Sequence, residues 1–89
     1  MKTSSVTIFG GSGFIGRHLI RKLAKSGARI RIAVRKPSKA KFLVPLGNVG
    51  QIVPVYSDLT DYNSVSKAID GSDIIINLVG QKIRSELSS

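Results

Sequence analysis

Residues 6–16 read VTIFGGSGFIG, an apolar run that ends abruptly in glycines and is followed by the start of a helical pattern. This order predicts a β-strand, a tight turn and a helix. Gly11, Gly13 and Gly16 have the G-x-G-x-x-G spacing of dinucleotide-binding turns, with the strand and helix that the motif requires on either side. The stretch therefore predicts a turn that binds a pyrophosphate. The alternative is a glycine-rich turn without a ligand.

The glycines of this turn have separate physical roles. The early glycines permit a turn that a Cβ would obstruct and let bare N–H groups approach the phosphates. A larger residue at Gly13 would fill the space that the pyrophosphate needs, whereas Gly16 lets the helix pack close to the strand. The helix N-terminus adds unpaired N–H groups and a partial positive charge. The residues predicted to bind the cofactor here are Gly10, Gly11, Ser12, Gly13, Phe14, Ile15 and Gly16.

Strands and helices alternate along the rest of the chain. Apolar patterning and turn residues predict strands at 6–9, 29–34, 51–56 and 73–79, and helices at 14–25, 38–46 and 61–69. The order βαβαβαβ predicts an α/β fold, the N-terminal half of a Rossmann-type doubly wound parallel sheet with strand order 3-2-1-4.

Local chemistry agrees with this topology. Pro54 lies inside the third strand, and a proline fits the edge position that the order assigns there, because it lacks an N–H donor. Residues 74–79 are apolar on both faces, as in a central strand. Right-handed crossovers place the first two helices on one face of the sheet and the third on the other.

The chain has 89 residues, enough for one domain at most. Doubly wound nucleotide-binding domains have on the order of 150 residues or more. We therefore expect a fragment, or the ordered part of a longer chain. In it, residues 1–80 form an NAD(P)-binding half-domain and residues 81–89 begin a further connection or tail. There is no cysteine and no apolar run of about 18 residues, so neither a Cys metal site nor a membrane span is predicted.

The charge is distributed unevenly between the two halves of the sequence. Residues 1–50 contain eleven Lys or Arg and no acid, whereas residues 51–89 contain five acids and three basic residues. The halves carry +11 and −2, which give the net charge of +9. Such a field attracts phosphates, nucleic acid or anionic lipid, although a solvated basic face explains the charge equally well. Because no nucleic-acid-binding motif is present, no nucleic-acid partner is predicted.

The loop after the second strand should meet the adenosine ribose. An acid about twenty residues past the glycines would bind both ribose hydroxyls and favour NAD(H). This chain instead has Arg35 and Lys36, with Lys39 close behind. Because a guanidinium matches a 2′-phosphate with two hydrogen bonds, the loop favours NADP(H), with NAD(H) still possible. The alternative is that Arg35 only continues the basic surface.

Two further loops reach the same edge of the predicted sheet. Asp58 follows the third strand, where its carboxylate could accept from the adenine amine, with the Leu59 backbone sharing this role. The alternative for Asp58 is a helix-capping turn. Val79 and Gly80 follow the fourth strand and can pass close to the cofactor ribose, since a glycine there removes a clash.

These motifs together resemble a known family. The stretches FGGSGFIG at 9–16, DLTD at 58–61 and NLVG at 77–80 are similar to the extended short-chain dehydrogenases/reductases, the NAD-dependent epimerase/dehydratase group. Phe9 stands where many members have Thr, which suggests an atypical branch. The stretches RKP at 35–37, VPLG at 44–47 and QIVPV at 51–55 are similar to a narrower group. It contains the nucleotide-binding accessory subunit of respiratory NADH:ubiquinone oxidoreductase and its bacterial relatives.

The resemblance implies a cofactor-binding portion of an NAD(P)-dependent epimerase, dehydratase or reductase. A non-catalytic NADPH-holding accessory subunit or sensor is the alternative. It further implies a location in the bacterial cytoplasm or on the mitochondrial matrix side, and a homodimer or membership of a larger complex. The family's catalytic pair is Tyr-x-x-x-Lys, but neither Tyr56 nor Tyr62 has a lysine four positions later. No catalytic residue is therefore predicted within this sequence.

Overall fold

The structure, a computed structural model, describes residues 3–10 and 13–79, with only the backbone of Phe14. The elements alternate along the chain as the sequence predicts. They are β1 (Ser5–Phe9), α1 (Phe14–Lys25), β2 (Arg29–Val34), a 3₁₀ segment (Pro37–Leu46), β3 (Ile52–Tyr56), α2 (Tyr62–Ile69) and β4 (Ile74–Asn77). Among these residues, no helix has the length and apolar character needed to cross a bilayer.

The four strands form one parallel sheet of order β3-β2-β1-β4, which confirms the predicted topology. Pro54 pairs in register with Ile32 at the outer strand β3. The edge position predicted for this proline is therefore confirmed.

The two faces of the sheet carry separate apolar clusters. α1 and the 3₁₀ segment cover one face and contribute Ile20, Ala24, Ala40 and Leu43 to its core. α2 covers the other face, where Ala68 packs with Phe9 and Ala33. The predicted division of the helices between the two faces is confirmed.

The connection predicted as a short helix at 38–46 is a run of 3₁₀ turns. Its residues that belong to the core cluster or pack against it, Ala40, Leu43 and Leu46, recur every three positions, which is the 3₁₀ period. Pro45 lies inside the segment rather than breaking it, and the segment ends at Gly47, whose N–H donates to the Val44 carbonyl at 3.2 Å.

The fourth strand is shorter than predicted. It ends at Asn77 rather than at residue 79, because the Asn77 side chain accepts from the Val79 N–H at 2.9 Å and forms a turn. In the described sheet β4 pairs only with β1, so Ile74 and Ile75 are 45% and 50% exposed. Their environment here is that of an edge strand.

The helical spacing of apolar residues in α1 predicts one buried stripe, and the structure corrects this prediction at one position; the predicted members are Ile15, Leu19, Ile20, Leu23 and Ala24. Ile20 and Ala24 are buried and Leu19 and Leu23 are partly buried, but Ile15 is 42% exposed. Ile15 lies in the first helical turn, at the open carboxyl edge of the sheet, where no described element covers it.

Candidate dinucleotide site

The turns after β1 and β4 meet at the carboxyl edge of the sheet. Gly10 has a φ of +77°, a conformation that favours glycine. A Cβ at Gly10 would lie 2.9 Å from a methyl group of Val79 and 3.0 Å from its backbone nitrogen. The fold itself therefore requires a glycine at this position, and it brings Val79 against the predicted phosphate turn.

Gly13 differs from Gly10, because the protein does not require a glycine there. Its φ of −82° and ψ of −177° are extended values that any residue adopts. Among the described residues, a Cβ built at Gly13 would meet no atom within 4 Å apart from its chain neighbours and the backbone of its own helix. The residue is exposed at the N-cap of α1, and it has no side chain that could occupy the free N–H groups of the first helical turn. Open space and available donors thus lie together at this helix N-terminus.

A cleft of about 570 Å³ lies between the ends of β2 and β3. Three cations and one carboxylate, Asp58, are among the described residues that line it. The lining residues are Val34, Arg35, Lys36, Lys39, Ala40, Tyr56 and Asp58. The dominant charge of the cleft is positive, so it suits a phosphate-bearing ligand.

The local backbone explains how the cations come together. Lys36 caps the 3₁₀ segment, and its carbonyl accepts from the Lys39 N–H at 2.9 Å. Residues three apart in a 3₁₀ helix lie on one side of it, so Lys36 and Lys39 both reach the cleft. On the opposite wall, the Ser57 N–H donates to the Val34 carbonyl at 2.9 Å and joins the ends of β2 and β3.

Asp58 forms a capping turn of its own at the base of the cleft. Its Oδ1 accepts from the Thr60 N–H at 2.9 Å and from the Thr60 hydroxyl at 2.7 Å. These two hydrogen bonds, in that order, hold the pKa of Asp58 below its usual value, and the positive charge of Arg35 lowers it further against the opposing effect of burial. The carboxylate is therefore ionised and oriented near neutral pH.

The loop that carries Asp58 is anchored to the start of α2. The Ser64 hydroxyl accepts from the Asp58 N–H at 2.9 Å and lies within hydrogen-bond distance of the Asp58 and Asp61 carbonyls. The sequence offers Thr60 or Asp61 as the cap of α2, and Asp61 takes this role by accepting from the Asn63 N–H at 3.1 Å. The carboxylate position is thus fixed by a network of short loop contacts.

The predicted site residues fall into three groups. Arg35, Lys36 and Asp58 share the cleft, whereas Gly10, Gly13 and Val79 lie around the phosphate turn. Gly16 is buried in α1, and Ile15 and Leu59 are exposed at the same edge of the sheet. The remaining predicted residues, Gly11, Ser12, Gly80 and the side chain of Phe14, lie outside the described part of the chain.

The sequence interpretation missed the aromatic wall of the cleft. Tyr56 lines the cleft and is 51% exposed. Its position as the last residue of a strand at the ligand-binding edge was the available signal. The Tyr-x-x-x-Lys criterion does not identify Tyr56, because no lysine follows it at the required spacing.

Comparison with known proteins agrees with this geometry. Residues 2–88 match the NmrA-like family. The mitochondrial NADH dehydrogenase (ubiquinone) 1 alpha subcomplex subunit 9 of Dictyostelium discoideum is 40% identical over 76 residues, covering 84% of this chain and 21% of that protein. Eugenol synthase 1 of Petunia hybrida is 36% identical over 83 residues, covering 88% and 27% respectively.

Solved structures of other proteins are similar to this chain in backbone fold as well. Vestitone reductase from alfalfa superposes with a TM-score of 0.73 at 28% identity, covering 84% of this chain and 24% of that one. This chain spans about a fifth to a quarter of the length of these relatives. The chain belongs to the NmrA-like family, with the NAD(P)-binding Rossmann fold of the extended short-chain dehydrogenases/reductases and a relationship to a subunit of NADH:ubiquinone oxidoreductase.

Proposed function

We propose that this chain is the NADP(H)-binding portion of a protein of the epimerase, dehydratase and reductase group. The observation that carries the proposal is the convergence of Arg35, Lys36 and Lys39 on one cleft at the end of β2. An acid in this loop would bind the ribose hydroxyls of NAD(H) and repel a 2′-phosphate. Three cations instead favour the extra phosphate of NADP(H).

Each part of the site has a distinct binding role. The Arg35 guanidinium takes the 2′-phosphate and the two lysines add charge around it. Asp58, whose Oδ1 is occupied by Thr60, keeps acceptor capacity for the adenine amine. The open N-terminus of α1 at Gly13 takes the pyrophosphate.

The bound dinucleotide would supply the chemistry of hydride transfer, and these residues hold and orient it. Tyr56 and Val79 border the same edge and limit the space around the bound molecule. This division of roles leaves proton transfer to residues outside the present sequence.

The substitution Arg35→Asp in the full-length protein tests the proposed preference for NADP(H) over NAD(H). Loss of one charge-assisted contact should weaken NADPH binding by about 1.5–3 kcal/mol, roughly a 10- to 150-fold rise in Kd. NADH binding should be unchanged or tighter, because the new carboxylate can accept from both ribose hydroxyls.

The control is Arg21→Asp, which makes the same charge change on the exposed side of α1. If both variants weaken NADPH binding equally, the general basic field explains the affinity and the assignment of Arg35 fails. If Arg35→Asp lowers the affinity for NADPH and for NADH equally, Arg35 does not recognise the 2′-phosphate.

The second candidate is a non-catalytic NADP(H)-holding accessory subunit or sensor. The observation that favours it is the 40% identity to a subunit of a respiratory NADH dehydrogenase. That relative is described as mitochondrial, so this candidate implies the matrix side or, in a bacterium, the cytoplasm.

The two candidates differ in chemistry but share cofactor binding. A Tyr-x-x-x-Lys pair in the full-length sequence, together with turnover of NADPH when carbonyl substrates are supplied, supports the enzyme. Tight NADPH binding without that pair and without turnover supports the accessory subunit.

A further inference from the structure

The outer edge of the sheet at β3 stays an edge in any longer Rossmann sheet. In the order 3-2-1-4, further strands are added beyond β4. The apolar surface of β4 is therefore explained by strand pairing within the fold. The surface beside β3 has no such explanation, and its features need a separate account.

An apolar groove of about 490 Å³ lies along this edge, between the 3₁₀ segment and β3. Three prolines form most of its lining, which consists of Pro37, Lys41, Val44, Pro45 and Pro54. Phe42, in the same segment, is 51% exposed. Large exposed apolar groups around a concave surface are characteristic of protein interaction sites.

The edge of β3 is unsuited to accepting another strand. The N–H of Ser57 points toward β2, where it donates to Val34. Because N–H groups alternate in direction along a strand, Pro54 occupies an outward position, where it offers no donor. A partner strand would lose a hydrogen bond in the middle of the ladder. Binding here must therefore use side chains that enter the groove.

The charge around the groove indicates which charge the partner segment carries. Lys41 lines the groove, and residues 1–50, which supply every lining residue except Pro54, contain no Asp or Glu. A basic partner segment would be repelled by Lys41, and none of the described lining residues is an acid that would attract it. A segment that combines a bulky apolar side chain with carboxylates would fill the groove and pair with Lys41.

We propose that the groove between the 3₁₀ segment and β3 is a docking site for an acidic, apolar segment of a partner protein. The apolar side chain enters between Pro45 and Pro54, and the carboxylates of the segment lie against Lys41. No residue lines both this groove and the nucleotide cleft.

The test is a selection of displayed random peptides on the full-length protein. We expect enriched sequences that carry an aromatic or large aliphatic residue together with Asp or Glu. The best of these peptides should bind Lys41→Glu at least ten-fold more weakly than wild type. Lys67→Glu makes the same charge change on the exposed side of α2, and this variant should bind the same peptides with wild-type affinity.

Three results would overturn the proposal. One is that no sequence is enriched over a parallel selection on Lys41→Glu. Another is that the enriched peptides lack acids or lose affinity equally in both charge variants. The third is binding of the protein to phosphatidylcholine–phosphatidylserine vesicles through Lys41 without peptide selection, which would make the surface a membrane contact.

Discussion

The substitution Gly13→Thr should separate the stability of the phosphate turn from its ability to bind nucleotide. Gly13 has extended backbone angles, and in the part of the chain that the structure describes no atom beyond its neighbours and its own helix backbone lies within 4 Å of a Cβ built there. A β-branched residue adopts such angles readily. Threonine ranks with glycine as an N-cap residue, so the start of α1 should be preserved.

The expected change in stability is small and favourable. Replacing a glycine whose native angles suit other residues restricts the unfolded chain and stabilises the fold by about 0.4–1 kcal/mol. The Arg17 N–H already donates to the Gly13 carbonyl at 3.0 Å, and this bond does not involve the side chain. The urea midpoint of the full-length protein should therefore stay the same or rise.

The expected change in binding has the opposite sign. The threonine side chain enters the space assigned to the pyrophosphate, and its hydroxyl can accept from the N–H groups that the phosphates would use. NADPH affinity should fall at least ten-fold, about 1.4 kcal/mol. The contrast is Gly10→Ala, which should destabilise the fold by about 1–3 kcal/mol through its positive φ and the contacts with Val79.

Calorimetric titration with NADPH and urea unfolding of the same preparations measure both quantities. Gly13→Thr with wild-type affinity would show that no phosphate approaches this turn. A loss of more than about 1 kcal/mol of stability would show that the glycine is needed by the fold, contrary to its open surroundings.

Three further predictions concern the support of the site. Asp58→Asn should remove a contribution to stability that is present near neutral pH and lost in acid. A carboxylate whose folded pKa lies below 3.8 stabilises the fold above about pH 4, and this effect disappears as the pH falls through the folded pKa. Urea midpoints of both proteins between pH 2 and 7 test this, and a constant difference between them would contradict it. Arg31→Met should cost about 1.5–3 kcal/mol, since Nη1 donates to the carbonyls of Ala68 and Asp70 at the end of α2, at 2.8 and 2.6 Å. The exposed Arg29→Met is its control, and equal effects would contradict the capping role. Leu43→Ala should cost about 2–5 kcal/mol in urea unfolding, because this side chain is fully buried under the 3₁₀ segment; a cost below 1 kcal/mol would mean that the segment is not packed as described.

The order of the sheet could be predicted from the sequence because local signals on β1 and β3 agree with the places of these strands, whereas the apolar β4 was expected to be central and has the environment of an edge strand in the described sheet. Pro54 identified the outer strand by its missing donor, and the glycines after Phe9 identified the ligand-binding edge. The strand order then brings the carboxyl ends of the four strands to one edge of the sheet. These are relations between chain order and strand chemistry, so they are available without coordinates.

The details of the cleft could not be predicted from the sequence, because they depend on contacts and side-chain directions that arise only in the folded chain. The 3₁₀ period of Ala40, Leu43 and Leu46 is visible in the sequence, but in a short segment it resembles an irregular helix. The pairing of Asp58 with Thr60 depends on loop geometry. Tyr56 is the last residue of β3 and lines the cleft. The pleat of the folded sheet fixes the direction of its side chain.

The central claim concerns the nucleotide that the cleft selects. Titrations of NADPH and NADH into the wild-type, full-length protein at low salt measure it directly. The convergence of Arg35, Lys36 and Lys39 predicts at least ten-fold tighter binding of NADPH, and a difference that shrinks as salt screens the cations. Equal affinities, or tighter binding of NADH, would contradict the account.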